Sequence, residues 1–116
     1  MAFSEDERKQ IRHDFFDFTN MSPAELERWL QTGESKSVGD TGGEGESTGH
    51  ASGRRIMELK HKTRDKLSED DYRHMRKVVN YIKRHTAQKP SHDIDGSRWR
   101  YSLMNWGYDP LKEERK

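Results

Sequence analysis

Residues 68–87 read SEDDYRHMRKVVNYIKRHTA, and the fold follows from them. Ser68 is an N-cap residue, and Glu69, Asp70 and Asp71 put negative charge into the first turn, where free N–H groups and the macrodipole favour it. Leu67 and Tyr72 have the spacing of a hydrophobic staple. Tyr72, Met75, Val79, Ile82 and Thr86 recur every three or four residues, so one stripe of a long helix must be covered by something apolar. Arg73, Lys77 and Arg84 project about opposite to that stripe, with Arg76 and Lys83 on its flank. The spacing predicts a helix that is core on one side and cationic on the other.

Elsewhere the core is sparsely supplied. Hydrophobic residues make up 28% of the 116 positions, against a commoner ~45%. Three Trp, four Phe and four Tyr offset this, because each buries a large area. The composition implies a folded chain with a small core and a disordered fraction. The absence of cysteine excludes disulfides, thiolate zinc sites and cysteine nucleophiles. No apolar run approaches the ~18 residues of a membrane span, and no signal-peptide core follows Met1. The expectation is a soluble intracellular, cytoplasmic protein without a membrane partner.

Net charge is +1, but it is unevenly spread. Residues 1–50 hold 5 Lys/Arg and 11 Asp/Glu, and residues 51–116 hold 17 and 10. Such polarity suggests that the second half meets a polyanion, or that the two halves meet each other.

Before the long helix, Ser4 and Glu7 have capping-box spacing, and Ile11, Phe15 and Phe18 give a first helix its stripe, with Asn20 as its stop. Met21-Ser22-Pro23-Ala24-Glu25-Leu26 is a second start, with Ser22 as cap, Pro23 at N1 and Glu25 at N3. Leu26, Trp29 and Leu30 form its buried face, and it ends near Gln31 or Thr32. Residues 32–49, TGESKSVGDTGGEGESTG, hold six of the nine glycines. No regular element fits them, and a mobile loop is expected. A phosphate-cradling loop is not, since no strand precedes it and no Gly-Lys-Ser/Thr ends it. Ala51-Ser52 starts a third helix carrying Ile56, Leu59, Thr63 and Leu67 inward. That puts Arg54 and Arg55 in its first turn, the wrong end for cations unless an anionic ligand sits there. After the long helix, Gln88-Lys89-Pro90-Ser91 breaks the pattern. Asp95-Gly96-Ser97 starts a last helix with Trp99, Leu103 and Trp106 at i, i+4 and i+7, stopped by Gly107 and Pro110. The two tryptophans read as core against the 68–87 helix, with an aromatic platform for bases as the alternative.

The six histidines form no metal-binding spacing. Asp93-Ile94-Asp95-Gly96 departs from a calcium loop, with glycine at the fourth position and Met104 where the closing Glu belongs. No nucleophile elbow or carboxylate-pair signature appears. The reading is therefore a protein that is not an enzyme, with no cofactor, metal or small-molecule substrate.

Four segments together resemble a family of small microbial proteins carrying a domain of unknown function, often labelled DNA-binding. They are Met21-Ser22-Pro23-x-Glu25-Leu26-Glu27-x-Trp29-Leu30, Glu34-Ser35-x-Ser37-Val38-Gly39, Gly49-His50-x-Ser52-Gly53-Arg54-Arg55-Ile56, and Arg98-Trp99-Arg100-Tyr101-Ser102-Leu103-Met104-Asn105-Trp106-Gly107-x-Asp109-Pro110. The pair Ser22…Leu30 and Ser52…Leu59 is also similar to the helix–loop–helix of SAP-type DNA-binding motifs, though with a far longer loop. That similarity implies that Arg54 and Arg55 contact phosphate.

The expected architecture is one all-α domain over residues 1–116, a small bundle of four to five short helices. A mobile Gly-rich loop lies at about 32–49 and a C-terminal tail at about 108–116. Between Gly53 and Arg100 there are 14 Lys/Arg against 7 Asp/Glu. A basic helix face is often only a solvated face. It is also the footprint of phosphate-backbone binding. The expected function is non-catalytic, largely sequence-independent binding of double-stranded DNA, with a nucleoid-associated location. Arg54, Arg55, Lys60, Arg73, Arg76, Lys77, Lys83, Arg84, Arg98 and Arg100 would form the surface. The alternative is a protein-interaction module or homodimer, in which the acidic N-terminal helices pair with the basic half.

Overall fold

Three capping boxes set three helix starts in a computed structural model that describes residues 2–38, 48–91 and 93–114. Helix α1 (Glu5–Phe18) begins where Ser4 Oγ accepts from Glu7 N and Glu7 Oε1 accepts from Ser4 N. Helix α2 (Pro23–Leu30) repeats this with Ser22 and Glu25. A five-residue helix α3 (Gly33–Ser37) follows, capped by Thr32. Then come α4 (Thr48–His61), a single 3₁₀ turn at Arg64–Lys66, and α5 (Glu69–Thr86). At α5 the box closes with Asp71 rather than with a glutamate. Helix α6 (Arg98–Asn105) is capped by Ser97, and α7 (Pro110–Glu114) ends the described chain. Five helices have eight or more residues, and no strand occurs among the described residues. The all-α bundle expected from the periodicity is the observed fold.

The stripes meet as their spacing requires. Phe15 of α1, Leu26 of α2, Ile56 and Leu59 of α4, Met75 and Ile82 of α5, and Leu103 of α6 are all buried in one cluster. Each such side chain contributes about 1.5–3 kcal/mol relative to exposure. Helix α5 packs chiefly on α1, α2 on α4, and α6 touches α2, α3, α4 and α5. Near their starts Phe3 N and Arg8 Nη2 each donate to Glu69 at 2.8 Å, and farther along α1 Arg12 Nη1 donates to Tyr72 Oη at 2.6 Å. Near their ends the Lys83 ammonium lies 5.5 Å from the Phe18 ring centre. Helices α1 and α5 therefore run parallel. Trp99 Nε1 donates to His85 O at 2.7 Å, and the Trp106 ring stacks on Tyr81 at 4.2 Å. The tryptophans thus close α6 on α5, as core.

Four expectations need correction. Residues 33–37 form α3 instead of open loop, because the Thr32 cap and contacts with α6 hold them. The expected mobility of the rest falls on residues 39–47, outside the described residues. Helix α4 starts at Thr48, so Arg54 and Arg55 stand in its second turn and not at its N-terminus. It also ends at His61, which leaves Thr63 exposed and Leu67 half-buried beyond the 3₁₀ turn. Finally, the segment after Gly107 is anchored: Pro110 opens α7 rather than merely stopping α6, and Asp109 is buried. Gly107, at φ 81°, does end α6, in the left-handed region that favours glycine.

Candidate nucleic-acid interface

The ten cations nominated from sequence fall into distinct settings. Arg73, Arg76, Lys77, Lys83 and Arg84 share the exposed side of α5, along about 16 Å of helix. They fall within roughly a third of the helix circumference at 100° per residue. Their side chains are lightly held. Arg73 lies 3.3 Å from Asp70 and keeps 57% of its side chain exposed. The Arg76 guanidinium lies 5.8 Å from the Phe3 ring centre. Arg54 and Arg98 are exposed on α4 and α6, away from this row in sequence and on other elements.

Arg55, Lys60 and Arg100 point elsewhere. Arg55 Nη2 lies 2.8 Å from Asp70 Oδ2 and 3.3 Å from Asp71 Oδ1, which joins α4 to the first turn of α5. Burial alone would raise the Asp71 carboxyl. The Lys62 ammonium at 2.8 Å, the Ser68 N–H and Arg55 outweigh that and hold it at about 2. Lys60 turns inward and donates to Thr19 O at 2.6 Å and Met21 O at 2.9 Å, satisfying carbonyls at the end of α1. Burial, with Lys112 nearby, pushes its ammonium down to about 8. Arg100 is 16% exposed and clamps Asp95 at 2.8 Å and Asp109 at 3.2 Å. Its role is to tie α6 to the start of α7.

A second cluster has no counterpart in the residue pattern. Asn105, 1% exposed, accepts at Oδ1 from Trp29 Nε1 (2.8 Å) and Ser35 Oγ (2.5 Å), and donates from Nδ2 to Ser35 O (3.1 Å). Beside it, a Cβ built on Gly53 would lie 2.6 Å from Asn105 O. Helices α2, α3, α4 and α6 therefore converge on one amide. No local signal marked it: at 100° per residue Asn105 lies about 100° from the Trp99–Leu103–Trp106 stripe, and its partners come from distant segments.

Ser52 and His74 also meet, with Oγ 3.0 Å from Nε2. Ser52 is 4% exposed, and the His74 ring stacks toward Trp106. The pair links α4 to α5. Among the described residues no three His, Asp or Glu side chains stand close enough to share a metal ion. None of the described helices is long and apolar enough to cross a membrane.

Residues 14–104 match a family described as a protein of unknown function, DUF3140. The chain belongs to this family. No curated protein and no solved structure matches it. The matched span contains the whole cationic row of α5 and most of the Asn105 cluster, whose amide lies one residue beyond it. This DUF3140 chain therefore carries the exposed cationic row of α5 within the family region and the buried Asn105 amide at the edge of that region.

Proposed function

We propose that this DUF3140 protein is a non-catalytic DNA-binding protein that grips the phosphate backbone largely without regard to base sequence. The observation that carries the reading is the row Arg73, Arg76, Lys77, Lys83 and Arg84 on the exposed side of α5. Arginine forks onto phosphate oxygens and lysine adds point charge, so such a row suits a polyanion. Arg54 and Arg98 extend the surface from neighbouring helices. Arg55, Lys60 and Arg100 contribute by holding the scaffold. The likeness of α2 and α4 to SAP-type helix–loop–helix motifs supports the same polyanion, with Arg54 as its contact. A nucleoid-associated, cytoplasmic location accompanies this reading.

The test is fluorescence anisotropy with a duplex of about 20 base pairs and arbitrary sequence, titrated across salt concentrations. With about five phosphates engaged, log affinity falls against log salt with a slope of about −4 to −5. Lys77→Ala with Arg84→Ala makes the slope shallower by about two, in equal measure for unrelated sequences. Absence of binding at low salt, or a slope indifferent to these substitutions, overturns the proposal.

A further inference from the structure

The cations of α5 surround an uncharged side chain. Asn80 is exposed, and its side-chain amide has no hydrogen-bond partner among the described residues. On a helix surface the nearest neighbours of a residue stand three and four positions away, about 5–6 Å apart. For Asn80 these are Arg76 and Lys77 before it and Lys83 and Arg84 after it, all cationic and all exposed. At roughly 100° per residue, Arg76 and Lys83 lie on one flank of Asn80 and Lys77 and Arg84 on the other, the two flanks about 100° apart. A free amide thus stands at the centre of the charged row.

That arrangement matches the cross-section of a duplex. The major groove is about 12 Å wide, admits an α-helix, and has phosphates along its walls and base edges on its floor. Cations on diverging flanks of one helix reach opposite walls, and the residue between them faces the floor. An asparagine amide carries donors on Nδ2 and an acceptor in Oδ1, which pair with the N7 acceptor and the N6 amino donor of adenine. At guanine both major-groove positions are acceptors, so Oδ1 meets O6 and one of the two bonds is lost. We infer that α5 lies in the major groove and that Asn80 reads adenine there. The inference rests on the duplex-binding reading and adds one base contact, hence a modest preference for A·T pairs, to the phosphate grip.

Helix α1 borders this surface on one side. Glu7 and Asp14 line the same groove of about 310 Å³ as Arg76, Asn80 and Lys83. Their carboxylates oppose phosphate on the Arg76–Lys83 flank, so the Lys77–Arg84 flank carries the firmer grip.

Fluorescence anisotropy with three duplexes of equal length tests this: one of A·T pairs, the same duplex with 7-deazaadenine in place of adenine, and one of G·C pairs. The deaza base lacks the N7 acceptor but keeps base pairing and phosphates. Wild-type protein is expected to bind the A·T duplex about tenfold tighter than the G·C duplex, within the range for one bidentate pair. The deaza substitution removes most of that advantage. Asn80→Ala binds all three duplexes with the weaker affinity, and its salt slope stays at the wild-type value because no phosphate contact is lost. Circular dichroism checks that the variant keeps its fold, as alanine at an exposed helix position should. A wild type indifferent to the deaza substitution, or an Asn80→Ala protein that keeps the A·T preference, overturns the inference. Salt-dependent binding that persists in either case leaves the phosphate reading standing, whereas absence of binding to every duplex overturns both.

Discussion

Trp29 Nε1 donates to Asn105 Oδ1 at 2.8 Å across 76 positions of chain. The same oxygen takes the Ser35 hydroxyl, so one amide holds α2 and α3 against α6. Asn105→Leu keeps a comparable volume but leaves the Trp29 N–H, the Ser35 hydroxyl and the Ser35 carbonyl without this partner. The expected cost is about 2–4 kcal/mol, at the upper end for unmade buried hydrogen bonds. Urea unfolding reads it as a lower midpoint with an unchanged slope, since the surface exposed on unfolding is the same.

Gly53 and Gly33 make a matched pair of opposite sign. A Cβ on Gly53 would lie 2.6 Å from Asn105 O and 2.8 Å from Leu30 Cδ2, so α4 would have to back away from α6 and α2. Gly53→Ala is expected to destabilise by about 1–3 kcal/mol through overpacking. Gly33, in α3, has nothing within 4 Å of its Cβ position. Gly33→Ala is expected to stabilise by about 0.4–1 kcal/mol, because it removes freedom from the unfolded chain. Thermal unfolding of the two variants checks both signs.

What was legible in the sequence was local. Ser4, Ser22 and Ser68 announce their helices because a cap needs only its own next three residues. Tyr72, Met75, Val79 and Ile82 announce the buried stripe because 3.6-residue periodicity belongs to the helix itself. Helix α3 was not legible, because Gly-Glu-Ser-Lys-Ser has weak propensity and is held by α6, 70 residues away. The candidate interface divides in the same manner. Helical geometry alone turns Arg73, Lys77 and Arg84 outward. Arg55 and Arg100 look identical in a charge count, but aspartates arriving from other segments claim them. Pairing across the chain has no short-range signature.

Mild acid has a specific target. Burial, then Arg55 and Lys77, push the His74 imidazole from 6.5 down to about 4. Burial and Arg84 move His85 in the same direction. Between the ordinary and the lowered His74 values the unfolded chain binds a proton that the folded chain excludes. The His74 penalty is therefore absent above about pH 6.5 and grows as pH drops toward 4. Asp71 and Glu25, each held at about 2, act lower, in the range where unfolded carboxylates take up protons. His74→Gln is expected to flatten the urea-midpoint profile between pH 6.5 and 4 while leaving the steeper decline below pH 4. An unchanged slope in the upper window contradicts this assignment.

Lys60 and Lys77 separate scaffold from surface. The Lys60 ammonium, bonded to Thr19 O and Met21 O, satisfies the end of α1 where α2 begins, and its approach is covered. Lys60→Met keeps the aliphatic stem and removes the donor, leaving two carbonyls partly enclosed. The expected loss is about 1–3 kcal/mol of stability. Because Lys60 does not face solvent with the α5 row, the salt slope for duplex binding, measured on folded protein, stays at its wild-type value. Lys77→Ala reverses the pattern: stability within about 0.5 kcal/mol of wild type, and a salt slope shallower by about one. If Lys60→Met instead lowers the slope at constant stability, the inward assignment of Lys60 fails, and the α5 row is not the whole of the basic surface.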